Sequence, residues 1–336
     1  MINDVIHREN AGLDYLKSIR DGSFKLGKGI DCDLDIHLRY KQNNLNVFAG
    51  HANVGKTLGI LYYFTCLAIK HKLKFLVFSS ENEVGGIKDD LISLYSGKGV
   101  KDLTDMEFEY AHYFVNEHFK FFDADSYFQK HKRLMNFRDI LNECNEHTFD
   151  SLVIDPYNSL GKLDTIKGNT HEYDYQVMAE LRIWCKTENK SLYLLAHGNT
   201  EALRKVYPKD HDFSGYPIPL LSADIEGGGK FVNRCDNFVV IHRMTQHPSE
   251  WNKTEWHVTK IKSTKTGGKP SFKDNPVIFE AQKGLLSFKV YIRQSNYEPP
   301  TEWKDPLEKT IEVKTSEFKP IEANNDFATA DYFDDI

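Results

Sequence analysis

Apolar positions along this chain change period repeatedly, and the changes mark its elements. Over residues 8–21 apolar and charged positions alternate at helical spacing, and Gly22 closes them. "NLNVFAG" then forms a short strand. "TLGILYYFTCLAIKHK", which opens at Thr57, is apolar nearly all round and predicts a buried helix. "KFLVFSS" is a buried strand ending at Ser79 and Ser80, followed by a helix, "VGGIKDDLISLYSG", weakened by two glycines. Thr104 and Glu107 make a capping box that opens a further helix. "FKFFDAD" is a strand, "FQKHKRLMNFRDILNECNEH" one helix and "DSLVIDP" the next strand. "THEYDYQVMAELRIWCKTENK" is a long helix feeding the strand "SLYLLAH". After a polar, proline-containing segment come four strand candidates, "NFVVIHRM", "TEWHVTKIK", "PVIFEA" and "LLSFKVYI".

Strand and helix alternate, the strands are apolar runs, and each helix is long enough for a crossover. This predicts an α/β fold with a mostly parallel twisted sheet and helices on both faces. The last strands lie closer together and are expected as an antiparallel edge. There is no internal repeat, and "EPPTEWKDPLEKT" turns polar and proline-bearing. Three segments follow: an N-terminal helix and linker over 1–44, a central domain over 45–295, and a polar, acidic tail over 296–336.

Composition changes this picture little. With 40% hydrophobic and 27% charged residues, the chain reads as an ordinary globular protein. No apolar run approaches a membrane span, "MINDVIHREN" has no signal-peptide core, and the five cysteines lie far apart without a C-x-x-C pair. A cytoplasmic protein with reduced thiols is expected. The net charge of −6 would disfavour nucleic acid if it were spread evenly. It is not: "IEANNDFATADYFDDI" carries Glu322, Asp326, Asp331, Asp334 and Asp335 and no base. Setting those five charges aside leaves −1 for the remainder, which leaves room for a local basic surface.

The candidate chemistry begins at "GHANVGKT", residues 50–57. Gly50, Gly55, Lys56 and Thr57 complete the phosphate-loop pattern, with His51, Ala52, Asn53 and Val54 between them. Small residues let backbone N–H groups turn inward on a phosphate chain, Lys56 adds a point charge at the outer phosphates, and the Thr57 hydroxyl is left for Mg²⁺. ATP, or another nucleoside triphosphate, is the expected ligand. "FDSLVIDPYNSL" delivers Asp155 to the sheet's C-terminal edge, where a carboxylate can hold Mg²⁺ through water. "FLVFSSENE" places Glu81 just past the second strand, where it can orient and deprotonate an attacking water. Glu83 is the competing candidate.

These pieces, with "EYDYQVMAELRIWCKTENKSLYLLAHGNTEALRK", "IEGGGKFVNRCDNFVVIHR" and "VTKIK", occur in one order over about residues 45–290. The chain resembles the RecA-fold motor domain of the replicative hexameric DNA helicases, the DnaB and Twinkle group. The resemblance implies a RecA-like P-loop NTPase that hydrolyses ATP as a ring and translocates on single-stranded DNA in replication. It implies a γ-phosphate sensor at His197 and a channel loop gripping DNA through Arg204, Lys205 and Lys209. It also implies a pair, Lys260 and Lys262, that reaches a neighbour's γ-phosphate, and Arg243 packing on the nucleotide base with Phe279 opposite. Lys262 departs from the family, which usually has arginine there; a planar fork is replaced by a compact ammonium.

The resemblance further implies homo-oligomers, by family habit hexamers, with the helix near 8–21 packing on the next protomer. Neither a primase module nor the helical N-terminal domain of bacterial relatives is expected, a layout of the phage type in a bacterial cytoplasm. The acidic tail is a candidate docking element for replication proteins. Two other readings stay open: a recombinase-like filament that uses ATP as a switch, and an assembly or loader ATPase without unwinding activity.

Overall fold

The computed structural model describes residues 10, 12–163, 165–166, 170–225, 228–281, 288–292 and 302–304. The N-terminal segment holds α1 (Leu13–Asp21) and the single turn α2 (Leu34–His37). β1 (Leu45–Gly50) runs into the phosphate loop and α3 (Lys56–His71), followed by β2 (Phe75–Ser79) and α4 (Val84–Ser96). Next come α5 (Asp105–His118), β3 (Phe119–Phe121), α6 (Ala124–His131), α7 (Phe137–Cys144) and β4 (Ser151–Asp155). α8 (Thr170–Thr187), β5 (Ser191–His197) and α9 (Lys230–Arg234) lead to β6 (Asn237–His242) and β7 (Lys253–Ile261). The short α10 (Thr264–Gly267) precedes β8 (Val277–Ala281), β9 (Phe288–Ile292) and β10 (Glu302–Lys304).

All ten strands form one sheet, ordered β10-β9-β8-β7-β6-β1-β5-β4-β2-β3. The six strands from β6 to β3 run parallel, and β7 to β10 add an antiparallel flank. The expected doubly covered α/β sheet is present. Alternate residues of β1 show why Val47–Ala49 are apolar without a break: Phe48 joins the core under α3–α5, while Val47 and Ala49 join the core under α7–α9. Both faces are therefore buried, and a polar residue on either would be left without water.

Two expectations change. "FQKHKRLMNFRDILNECNEH" is not one helix. Lys132 adopts φ 54 at the end of α6, and Asn136 with Asp139 makes a capping box that starts α7 afresh. And residues 302–304, assigned from sequence to the tail, pair antiparallel with β9 as the tenth strand. The acidic stretch from Ile321 onward lies outside the described residues. The Thr104–Glu107 capping box forms as expected. All five cysteines are buried, and none forms a disulfide. Among the described residues no helix is long and apolar enough to cross a membrane.

Candidate functional site

The candidate nucleotide site sits at the C-terminal edge of the parallel strands. β1 ends at Gly50, where the chain passes so close to β6 that a Cβ would stand 2.6 Å from the Ile241 carbonyl oxygen. Only glycine fits there. Gly55, at φ 86, turns the loop into α3. Such a tight turn running into a helix N-terminus is what a phosphate cradle requires.

Lys56 is buried and folds back over the loop, its Nζ donating to the carbonyls of His51 at 2.7 Å and Gly50 at 3.1 Å. Burial pulls its pKa down to about 8, against the opposing pull of Asp155 and Glu81. Asp155, 4% exposed, accepts a hydrogen bond from the Thr57 hydroxyl at 2.5 Å. Burial raises its carboxyl to about 6, with Thr57 and Lys56 drawing it back down. The parallel register that pairs Gly50 with His197 brings this histidine to the same edge. His197 Nδ1 lies 3.3 Å from Lys56 Nζ, and its Nε2 lies 3.4 Å from Glu81 Oε1. Glu83 instead occupies the N-cap position of α4, so the geometry joins Glu81 to the cluster.

The donor set suits a hydrated divalent cation. Thr57 and Asp155 supply hard oxygens, and a cation of this kind keeps most of its shell as water and phosphate oxygen. Among the described residues no group of three His, Cys, Asp or Glu side chains forms a dedicated metal cage.

On the other side of β1, Arg243 follows β6 and donates to the Asn53 carbonyl at 2.9 Å. Gly55, Leu58, Gly59, Arg243, Thr254 and Trp256 line a narrow cleft of about 10 Å³ there, floored by Phe279. Phe279 lies at the expected cleft but is almost wholly buried, packed on Trp256 with ring centroids 4.8 Å apart.

The remaining candidates lie away from this cluster. Lys260 donates to the carbonyls of Val232 and Cys235, at the C-terminal end of α9. Lys262, with its side chain 60% exposed, faces Asp236 at 3.6 Å. Because β7 is antiparallel to β6, Ile261 pairs with Asn237 at the opposite edge of the sheet, about 20 Å from the phosphate loop at strand rise. Neither lysine meets the phosphate loop of its own chain. In the segment after β5, Arg204 is bound to Glu201 at 2.9 Å and Lys205 to Asp224 at 2.6 Å. Lys209 is exposed and makes no ion pair among the described residues.

Three residues of this region carry no signal of their own in the sequence. Asn158 accepts from the His197 backbone N–H at 3.3 Å, steadying the end of β5. Asp236 pairs with Arg182 at 2.9 Å and accepts from the Leu45 N–H, fixing the start of β1. Asp224 ties the basic segment to itself, accepting from Lys205 Nζ and from the Leu221 N–H. Asn158 falls within "LVIDPYNSL", and its place just past the strand end is the one hint available.

Fold and site define a class, a RecA-like phosphate-loop domain. No protein-family model matches the chain. Among solved structures it is similar to an ATPase domain, with a TM-score of 0.64 and 14% identity over 85% of this chain and 98% of that one. It is also similar to a DnaB-like replicative helicase, solved with attention to its interactions with primase. That match has a TM-score of 0.61 and 14% identity over 84% of this chain and 67% of the other. At such identities the likeness is one of fold. In sequence, 92 residues are 30% identical to a Twinkle homolog protein, chloroplastic/mitochondrial, of Arabidopsis thaliana. That stretch is 27% of this chain and spans 11% of the relative. The short sequence match lies with the group that the ordered motifs resemble, and the structural matches agree with it in fold.

Proposed function

We propose that the chain is the motor domain of a ring-forming helicase that hydrolyses ATP, or another nucleoside triphosphate, to move along single-stranded DNA. The observation that carries this reading is the contact chain Thr57–Asp155 and Lys56–His197–Glu81, drawn from the ends of three strands onto the loop that follows β1. In this reading Lys56 exchanges the carbonyls of its own loop for phosphate oxygens. Thr57 and Asp155 hold Mg²⁺, which supplies neutralisation of charge on the phosphate oxygens. Glu81 takes the proton of the attacking water, and His197, between Glu81 and Lys56, registers the γ-phosphate. Arg243 packs on the base at the mouth of the cleft on the far side of β1.

A second protomer completes the site. Lys262 faces outward at the sheet edge opposite the phosphate loop, so it acts on a neighbour's nucleotide; Lys260, held by α9 carbonyls, positions that edge. α1 buries no residue of its own chain and exposes Leu13, Tyr15 and Leu16, which suits packing on the next protomer. Residues 45–295, with the strand at 302–304, then form the motor and the acidic tail a partner-docking element.

The ion pairs of Arg204 and Lys205 favour a second reading, an assembly or switch ATPase that grips DNA weakly. ATP turnover with and without single-stranded DNA, followed by unwinding of a forked duplex, separates the two. Stimulation with unwinding supports the motor; turnover indifferent to DNA supports the switch. Lys56→Ala should bring turnover to background, and normal turnover in that variant would end both readings.

A further inference from the structure

The phosphate loop touches the root of the basic segment through one side chain, His51. The residue is 6% exposed, and its imidazole hydrogen-bonds the backbone of Ile218. Nδ1 lies 3.4 Å from the point where a Cβ on Gly198 would stand, and both δ carbons of Leu220 lie 2.9 Å from that same point. Nε2 is buried with no hydrogen-bond partner among the described residues. An apolar side chain would fill this position at lower cost, since a buried unmet polar atom costs about 1–3 kcal/mol.

The root that receives the ring is tied together. Buried Asp224 accepts from Lys205 Nζ at 2.6 Å and from the Leu221 N–H at 3.0 Å, while its carbonyl accepts from the Asn199 N–H at 2.7 Å. Gly198 pairs with Ile225 across the two ends of the segment. A displacement of the root therefore carries Lys205, and the residues flanking it, as one body.

At its other end His51 holds the lysine of the cradle. The His51 carbonyl accepts Lys56 Nζ at 2.7 Å, so the residue meets Lys56 through its backbone and the root through its ring. We propose that His51 is a positioning residue that couples the phosphate loop to segment 198–225. When the Lys56 ammonium leaves the His51 carbonyl for a phosphate, the peptide is released, the ring shifts against Gly198 and Leu220, and the root moves with it. This route is separate from the one through His197, and it rests on the reading of residues 50–57 as a triphosphate cradle.

Coupling of this kind is reciprocal, so DNA must alter nucleotide affinity by the factor through which nucleotide alters DNA affinity. The experiment measures the affinity of the full chain for a non-hydrolysable ATP analogue, with and without an oligothymidylate. For the unaltered protein the ratio of the two affinities should lie within about 5- to 150-fold. His51→Ala should bring it to within about twofold of one. Gly198→Ala keeps the imidazole and the cradle residues and sets one methyl 2.9 Å from both Leu220 δ carbons and 3.4 Å from His51 Nδ1, so this seat must readjust. The substitution should change the ratio at least about threefold while affinity for the analogue alone stays as before. A coupled parent protein whose ratio survives in both variants overturns the coupling alone. A parent ratio of one overturns the coupling together with the proposed function.

Discussion

His242 ends β6 one residue before Arg243, and it offers a test of how the buried side of the site is balanced. It is 2% exposed, and neither ring nitrogen has a hydrogen-bond partner among the described residues. The groups that face it are Glu255 and His257 on β7 and His51 on the phosphate loop. Burial pulls its pKa from 6.5 down to about 4, with Glu255 opposing only part of the shift. In the unfolded chain the same ring protonates near 6.5. Between those values the unfolded state binds a proton that the folded state refuses, so stability falls as pH falls through the window.

For one such site, the loss between pH 7 and pH 5 comes to about 2 kcal/mol. His242→Leu removes this dependence and two unmet polar atoms together. At pH 7 the variant should be as stable as the parent or more so, by up to about 2 kcal/mol. Urea unfolding at both pH values, without nucleotide and at one protein concentration, reads the effect. The parent should lose about 2 kcal/mol more than the variant on acidification, at equal slopes. Equal losses in the two proteins would refute the argument. So would a variant destabilised at pH 7 by more than about 2 kcal/mol, because the ring would then have a partner worth keeping.

Gly50→Ala sets a methyl 2.6 Å from the Ile241 backbone oxygen, where nothing can swing aside, so affinity for an ATP analogue should fall at least about tenfold by calorimetry while the fold is retained. Lys262→Ala should lower DNA-stimulated turnover at least about tenfold in the assembled protein without weakening nucleotide binding; unchanged turnover would place the trans-acting group elsewhere. Thr104→Ala removes the capping box of α5 and should cost about 1 kcal/mol in urea unfolding, with turnover unaffected.

The phosphate loop was legible from sequence because its chemistry is local: glycine tolerance, one lysine and one hydroxyl within eight positions of the same turn. The parallel strands were legible for a similar reason, since runs buried on both faces lose their alternation, as β1 and β4 do. Where one local signal hid inside another, the reading failed. Asn136 and Asp139 form a capping box inside an apparently continuous helical period, and Asn with Asp is a less familiar pair than Thr with Glu.

The basic segment shows a different limit. Arg204, Lys205 and Lys209 form a positive run on paper, yet Glu201 and Asp224 pair with the first two. Asp224 lies well beyond Lys205 in the chain and meets it only because the ends of the segment are pinned together at Gly198 and Ile225. Likewise Lys260 and Lys262 read as partners, but one is held by carbonyls of α9 and the other lies exposed beside Asp236.

By itself the sequence determined the kind of most elements, the fold class and the place of the tight glycine loop between β1 and α3, because periodicity, capping and backbone freedom act over a few residues. Which side chains meet across the site was decided by the strand order β1-β5-β4-β2, which brings His197, Asp155 and Glu81 to the loop from distant parts of the chain. The same holds for the seat of His51 against Gly198. Such contacts follow from sheet register and crossover packing, and no local pattern carries them.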